Sequence, residues 1–129
     1  MVQVESAVAP VERLVEALAA QDFEALAGCV SRECRVRAYT PNHVFGGVGP
    51  DIVAETFRTW VGQASDLVVV ESGIEPVLER VRLRYLIELT EDGQRKRFEQ
   101  TGYVHVANGE ITDLAMVCSG KLVITESGT

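Results

Sequence analysis

The chain has 129 residues, of which 47% are hydrophobic and 24% are charged, as is typical of one globular domain. Its formal net charge of −7 argues against a nucleic-acid partner, because an acidic surface repels the phosphate backbone. No apolar run approaches the ~20 residues that a membrane-spanning helix needs, so we expect no membrane partner. Residues 1–5 lack the basic and apolar stretches of a signal peptide, and we therefore expect a cytoplasmic protein.

The three cysteines are Cys29, Cys34 and Cys118. Their odd number argues against a disulfide framework, and their spacing matches no zinc-binding pattern. We expect them to be small buried residues, and we expect the protein to use no metal and no cofactor.

Two helices are predicted near the N-terminus. Apolar residues at positions 11, 14, 15 and 18 form one helical face and predict a helix over residues 10–20. Pro10 suits its first turn, where the missing N–H is harmless. Asp22 is a suitable N-cap for a second helix from Phe23 to about Val30.

A strand, a turn and a third helix are predicted next. Cys34 to Thr40 alternates as a strand, and residues 46–49 predict a flexible, glycine-rich turn. Pro50 then opens a helix that runs to about Trp60. Its inward-facing residues are expected to be Ile52, Val53, Phe57 and Trp60 or Val61.

The remaining sequence predicts a long antiparallel sheet of about four strands, with Gly73 and Pro76 interrupting the first. The predicted strands are Leu67–Ile74, Arg80–Thr90, Arg95–Val106 and Glu110 to about Val123.

Two turns set the strand register. A two-residue turn at Asp92-Gly93 places Tyr85 opposite Gln100, and it places Ile87 opposite Phe98, so that apolar residues meet on one face. At Asn108-Gly109 a two-residue turn would pair Val104 with Asp113 in the core. We favour a bulged three-residue turn, 107–109, because it keeps Asp113 out of the core.

The order of elements, together with residues 15–26, Gly46-Gly47 and 102–111, resembles the nuclear-transport-factor-2-like superfamily, in its SnoaL-like and ketosteroid-isomerase-like branch. The resemblance covers about residues 8–122 of a single domain, 1–129, and leaves a flexible C-terminal tail. It implies an α+β fold, in which three N-terminal helices pack on a strongly curved antiparallel sheet around a conical cavity. Members are commonly dimers that bind or transform a small apolar molecule.

The same resemblance makes catalysis uncertain. Ketosteroid isomerases carry an Asp base where this chain has Ala38 and an oxyanion-hole Asp where it has Gly102, and their first-helix Tyr is absent. Proton abstraction beside a carbonyl needs both a base and an oxyanion donor, so that activity is not expected. The Arg-Asp pairing of limonene-epoxide hydrolases and the acidic base of SnoaL-type cyclases also lack clear counterparts.

Each candidate site residue has a functional and a structural interpretation. Tyr85 and Gln100 could orient a ligand carbonyl or satisfy one another. His43, in the loop after the first strand, could act as an acid or base or be merely solvated. Five further residues could line the pocket or belong to the core. They are Phe57 and Trp60 of the third helix, and Ala38, Met116 and Cys118 of the inner sheet face.

The outer sheet face could be either a solvated surface with cross-strand ion pairs or a self-complementary homodimer surface centred on Leu86 and Tyr103. The resemblance favours the dimer.

Our leading hypothesis is a protein that binds a small, mostly apolar molecule in a conical pocket. One alternative is a cyclase, isomerase or hydrolase that acts through Tyr85, Gln100 and His43. The other is a structural or interaction dimer that uses no pocket.

Overall fold

The structure is a computed structural model that describes residues 4–124. Its three helices are α1 (Val4–Ala19), α2 (Phe23–Ala27) and α3 (Pro50–Val61). Most of the predicted C-terminal tail, residues 125–129, lies outside the described residues. No helix within the described range is long and apolar enough to cross a membrane.

Within residues 4–124 the strands form one curved, open sheet in the order β2-β1-β6-β5-β4-β3, and β7 also pairs with β5. Neighbouring strands are antiparallel except β1 and β6, which are parallel. The predicted α+β fold is confirmed. The strands are β1 (Val30–Thr40), β2 (His43–Val48), β3 (Ser65–Val77), β4 (Arg80–Glu91), β5 (Gln94–Ala107), β6 (Glu110–Cys118) and β7 (Leu122–Val123).

Helix α1 begins earlier than its apolar pattern predicts. It starts at Val4, so Pro10 lies inside the helix and not in its first turn. Proline lacks the N–H that would bond to the carbonyl four residues before it, which weakens the helix at that point. The fully buried side chains of Val11 and Leu14 offset this cost by packing on the sheet.

Helix α2 has the predicted cap, because the Asp22 side chain accepts a hydrogen bond from the Ala25 N–H at 3.0 Å. It ends at Ala27, before the predicted end at Val30, because Val30 already begins β1. In α3 the predicted burial of Val53, Phe57 and Val61 is confirmed.

The predicted inward orientation of Ile52 is wrong, since 39% of this residue is exposed. Residue 52 lies about 100° around the helix from Val53 and so falls beside the buried stripe.

Two expectations about the strands are wrong. Residues 46–49 were expected to form a turn, yet β2 runs through Gly46 and Gly47 to Val48. His43 consequently starts a strand and does not lie in a loop. The expected interruption of β3 by Gly73 and Pro76 is also absent, because β3 is an edge strand and one side of its backbone needs no partner.

The register predicted from Asp92-Gly93 is confirmed along the whole of β4 and β5. The second turn differs from the expectation. Ala107 pairs directly with Glu110 across a two-residue turn, and the bulge lies further along, where His105 pairs with Asp113. Thr112 is the extra residue, and its Oγ1 lies 2.8 Å from the His105 Nδ1. The bulge still keeps Asp113 out of the core, and it places Leu114 opposite Val104.

The last predicted strand is broken. After Cys118 the chain leaves the sheet over residues 119–121, called the strap here, and returns as β7 beside Lys96 and Arg97. The strap is anchored by the Ser119 N–H, which donates to the Glu99 carbonyl at 2.9 Å. Gly120 has a φ of 84°, and a Cβ there would lie 2.8 Å from the Pro41 ring, so glycine fits this crossing.

Lys121 ties the strap to the rest of the protein. Its Nζ donates to both carboxylate oxygens of Glu91, at 2.9 and 3.1 Å, and to the Trp60 carbonyl. Lys96 also donates to Glu91 at 3.2 Å. Burial by itself would raise the pKa of Glu91. The hydrogen bonds from Lys121 and Lys96 outweigh this effect, so the pKa is lowered overall.

The inner face of the sheet is packed with its own side chains. Alternate residues of β4, from Val81 to Leu89, are at most 2% exposed. Beside them Gly102 permits an unusually close approach of β5 and β6. A Cβ at Gly102 would lie 2.1 Å from the Ala115 carbonyl oxygen and 2.9 Å from Met116 Cγ.

We expect Gly102→Ala to lower the free energy of unfolding by about 2 kcal/mol, because a methyl group there must push two paired strands apart. Gly73→Ala is the matched control, since a Cβ at Gly73 meets no atom within 4 Å. Urea denaturation of both variants measures the difference. Equal stability of the two variants would show that the close approach at Gly102 imposes no constraint.

We expect Glu91→Gln to make stability less dependent on pH. The pKa of Glu91 is lower in the folded than in the unfolded state, so its carboxylate stabilises the fold fully above the unfolded value. That contribution, about 1 kcal/mol, is lost as the pH falls through the folded-state pKa. Thermal denaturation between about pH 6 and pH 3 should therefore show a shallower decline for Glu91→Gln than for the parent protein. The exposed Glu79→Gln is the control, and a decline in Glu91→Gln as steep as in this control would contradict the assignment.

Candidate functional site

A pocket of about 410 Å³ lies at the wide end of the cone, beneath the strap, and is called the mouth pocket here. The turn between β1 and β2, the end of α3 and the strap surround it. Its large apolar walls are Phe45, Trp60, Phe98 and Leu122, and Pro41 lies at the rim. The smaller and polar residues are Thr40, Asn42, Cys118, Ser119, Gly120 and Lys121.

Aromatic contacts hold the pocket wall in place. Trp60 lies in the last turn of α3, where its ring meets Phe57 edge-to-face at 4.9 Å and Phe45 at 5.4 Å between centroids. Phe57 is fully buried behind it. Edge-to-face pairs are specific in geometry, so the indole has a defined orientation between α3 and β2.

The structure places the sequence-predicted site residues in the mouth pocket, in the core and in a separate groove. Trp60 and Cys118 line the mouth pocket. Phe57, Ala38 and Met116 lie in the core, where Ala38 and Met116 are register partners on β1 and β6.

His43 lies in a separate groove of about 260 Å³ between β2 and α3, beside Glu55 and Thr56. Its ring packs edge-on against Phe45 at 4.4 Å. The structure therefore does not bring His43 together with Tyr85 and Gln100.

Tyr85 and Gln100 face one another as the register predicts, and both are buried. The phenol O–H of Tyr85 donates to the Gln100 Oε1. Burial, with a smaller contribution from Cys118, raises the pKa of Tyr85 well above its usual value, so the phenol stays protonated and neutral. The Gln100 Nε2 is buried without a hydrogen-bond partner.

The positions at which ketosteroid isomerases carry acids do not admit them here. Ala38 is buried in the core, and the space beside Gly102 is filled by β6. Among the residues that the structure describes, no carboxylate or imidazole group lines the mouth pocket, and Lys121 is its charged residue.

Neither Cys29, Cys34 nor any cluster of potential metal ligands in residues 4–124 forms a further reactive site. Burial raises the pKa of Cys34 to about 11, with a smaller contribution from Asp113, and it also raises the pKa of Cys29. Both thiols therefore remain protonated at neutral pH and are poor nucleophiles. Within residues 4–124 no three His, Cys, Asp or Glu side chains cluster in a way that could hold a metal ion.

Sequence reasoning missed the strap and Lys121. It assumed one continuous strand to Val123, although Ser119-Gly120 is a weak strand sequence directly after an apolar run. The small residues at 119 and 120 were the available indication of a break. The contact of Lys121 with Glu91 had no sequence indication, because the two residues are 30 positions apart.

Comparison with known proteins places the fold. None of the curated proteins matches the sequence. A proposed polyketide cyclase from Xanthomonas campestris pv. campestris is 14% identical, with 88% of this chain and 90% of that chain covered at a TM-score of 0.72. An LEH-like epoxide hydrolase from M. tuberculosis is 18% identical, with 90% and 84% covered at a TM-score of 0.67. An NTF2-like protein from Burkholderia xenovorans LB400 is 11% identical, with 91% and 92% covered, also at 0.67.

At these identities the structural neighbours establish the fold and not the activity. The sequence itself matches the SnoaL-like domain over residues 11–114, which is most of the chain. The curved sheet and the three helices give the chain the fold of that NTF2-like protein, and the match over most of the sequence shows that the chain belongs to the SnoaL-like family.

Proposed function

We propose that this protein binds a small, mostly apolar molecule in the mouth pocket. The observation that carries the proposal is a pocket of about 410 Å³ walled by Phe45, Trp60 and Phe98. This volume falls within the range of roughly 300–1,000 Å³ that is usual for small-molecule sites, and aromatic walls with a few polar groups are usual as well.

The site is shifted toward the mouth of the cone. Tyr85, Gln100 and Met116 fill the deeper part, so a ligand would rest on the Phe98 and Cys118 side chains. Its apolar surface would leave water for contact with three aromatic rings, at roughly 25 cal/mol per Å² buried.

Binding is favoured over catalysis by the composition of the pocket wall. A cyclase or hydrolase needs an acid or base within hydrogen-bond reach of the reacting atoms. Lys121 is engaged with Glu91 and the Trp60 carbonyl, and Tyr85 is buried and neutral. The activities in the names of the structural neighbours belong to those proteins, and no group here favours their transfer.

We also propose that two copies of the chain pair through the outer face of the sheet. Three exposed apolar side chains, those of Val44, Tyr39 and Val117, form one row across β2, β1 and β6. Tyr103 lies on the same face, two positions beyond Thr101, the residue that pairs with Val117. Such a row exceeds the scattered apolar residues usual on a monomer surface and suits a self-complementary contact.

Most ion pairs of the outer face lie on β3, β4 and β5, to one side of this row, whereas Arg37 contacts Asp113 at 3.1 Å on β1 and β6, beside the row itself. Arg84 contacts Glu71 and Glu99 at 3.0 Å each, and Leu86 between them is half-buried. These pairs satisfy one another within one chain, so they leave the apolar row as the surface that a second copy would cover. The proposed interface is therefore centred on Tyr39 and Val117 instead of Leu86.

We expect the bicyclic hydrocarbon tetralin to bind with a Kd on the order of 100 µM, as befits about ten carbon atoms in an apolar site. Cys118→Phe should weaken binding at least about tenfold, because the phenyl ring occupies the pocket. Isothermal titration calorimetry measures both values. Val68→Phe, on the exposed outer face of β3, is the matched control and should bind as the parent does. Equal affinities for Cys118→Phe and Val68→Phe would contradict a site in the mouth pocket.

For the dimer, sedimentation equilibrium should give twice the 14.1 kDa chain mass for the parent protein. Val117→Glu should sediment as a monomer, because a carboxylate placed in the apolar row opposes its own symmetry mate. Val68→Glu carries the same substitution at an exposed residue outside the row and should remain a dimer. A dimeric Val117→Glu or a monomeric parent would refute this interface.

A further inference from the structure

We propose that the molecule bound in the mouth pocket presents an uncharged hydrogen-bond acceptor, such as a ketone oxygen, to the buried N–H groups of Gln100 and Trp60. This inference rests on the proposed binding function and specifies the chemical class of its ligand.

The starting observation is that two buried N–H donors near the pocket have no hydrogen-bond acceptor. Three buried side-chain polar atoms of the described residues lack a hydrogen-bond partner, namely Trp60 Nε1, Gln100 Nε2 and Ser31 Oγ. Ser31 lies at the start of β1, at the opposite end of that strand from the pocket residue Thr40. The two unpaired atoms at the pocket are both N–H donors. Buried donors are nearly always paired in folded proteins, so these two call for an acceptor from outside the chain.

Gln100 lies next to two residues that line the pocket. It is two residues from Phe98 on the same face of β5, and it pairs with Cys118 of β6. Phe98 and Cys118 both line the mouth pocket, so the Gln100 amide lies one side chain below its floor. The small Cys118 side chain is what a ligand oxygen must pass to reach the amide.

The orientation of this amide is fixed by Tyr85. The phenol O–H donates to the Gln100 Oε1, which leaves the amide nitrogen as the free end. A rotated amide would donate to the Tyr85 oxygen, but it would leave the Gln100 oxygen unpaired and the Tyr85 O–H with only the weak acceptor Met116 Sδ, 4.0 Å away, so it is disfavoured. The free end of the amide is therefore a donor.

Trp60 adds the second donor on the wall itself. Its indole is wedged between Phe45 and Phe57, and its backbone carbonyl accepts from Lys121. These contacts hold the ring in one position without using its N–H. This N–H is buried, so a neighbouring side chain must move before the acceptor of a bound ligand can reach it.

The acceptor should be uncharged. Lys121 is the charged residue of the pocket wall, and its ammonium group is already paired with Glu91 at 2.9 Å. Lys96, which shares Glu91, also pairs with Asp92 at 3.8 Å. A bound carboxylate would have to leave water without a free cation to meet it, and burial of an unpaired charge is costly. A carbonyl oxygen accepts two hydrogen bonds and carries no such cost.

The test compares 1-tetralone with tetralin, which has a methylene group where the ketone has its carbonyl. We expect 1-tetralone to bind the parent protein at least about tenfold more tightly, because only the ketone satisfies the unpaired donors. Trp60 is the only tryptophan of the chain, so a ¹H–¹⁵N spectrum shows a single indole N–H signal. That proton should move downfield with 1-tetralone and not with tetralin.

Two variants locate the effect. Tyr85→Phe combined with Gln100→Met removes the amide and the phenol together, which avoids leaving the phenol unpaired. Trp60→Phe removes the indole N–H but keeps an aromatic wall. Each should reduce the preference for the ketone, measured as the ratio of the tetralin Kd to the 1-tetralone Kd, because a change in the apolar wall affects both ligands and cancels in this ratio. If the double variant fails to fold, Trp60→Phe alone tests the inference. A smaller preference for the ketone over tetralin supports it, and an unchanged preference contradicts it.

The outcomes separate this inference from the proposed function. Equal binding of ketone and hydrocarbon would overturn the acceptor and leave the apolar site standing. Tighter binding of 1,2,3,4-tetrahydro-1-naphthoate than of 1-tetralone would overturn the uncharged acceptor. No binding of any of the three compounds would overturn both proposals.

Discussion

The break in the last long strand determines where the mouth pocket lies. Had β6 continued in register past Cys118, its side chains would have closed the wide end of the cone against Phe98. Instead the strap leaves the sheet at Ser119 and rejoins it at Leu122. The pocket walls come from both sides of that detour, and Lys121 holds the detour to Glu91 and to the end of α3. The interruption at the end of β6 thus forms the pocket, and the strap covers it.

The rest of the interior is filled because the sheet is strongly curved and its inner residues are large. Tyr85, Met116 and Leu83 occupy the space that could otherwise be a deep cavity. Gly102 contributes in the opposite sense, since its missing side chain lets the Ala115 carbonyl approach. A side chain at this position would collide with that carbonyl, so a carboxylate here would require β5 and β6 to move apart.

The accuracy of the sequence-based predictions follows the range of the interactions involved. The register of β4 and β5 could be predicted because one tight turn and an alternating pattern specify it locally. The Asp22 cap could be predicted because its partner is three residues away. Strand β2 could not, since Gly46 and Gly47 have low strand propensity and are held in place by pairing with β1. The path of β3 through Pro76 depended on its position at the sheet edge, which local sequence does not reveal.

The candidate site divides in the same way. The sequence by itself determined the family, the apolar inner face and the meeting of Tyr85 with Gln100, because periodicity and turn chemistry act over short distances. Trp60 and Cys118 were candidate pocket residues from their faces, with core packing as the alternative interpretation. Only the tertiary structure decided that Ala38, Phe57 and Met116 are packed in the core and that His43 lies in a different groove. It also decided that Lys121 secures the strap over the pocket. The physical reason is that free volume depends on how elements distant in sequence fit together, and no local pattern encodes the space that they leave.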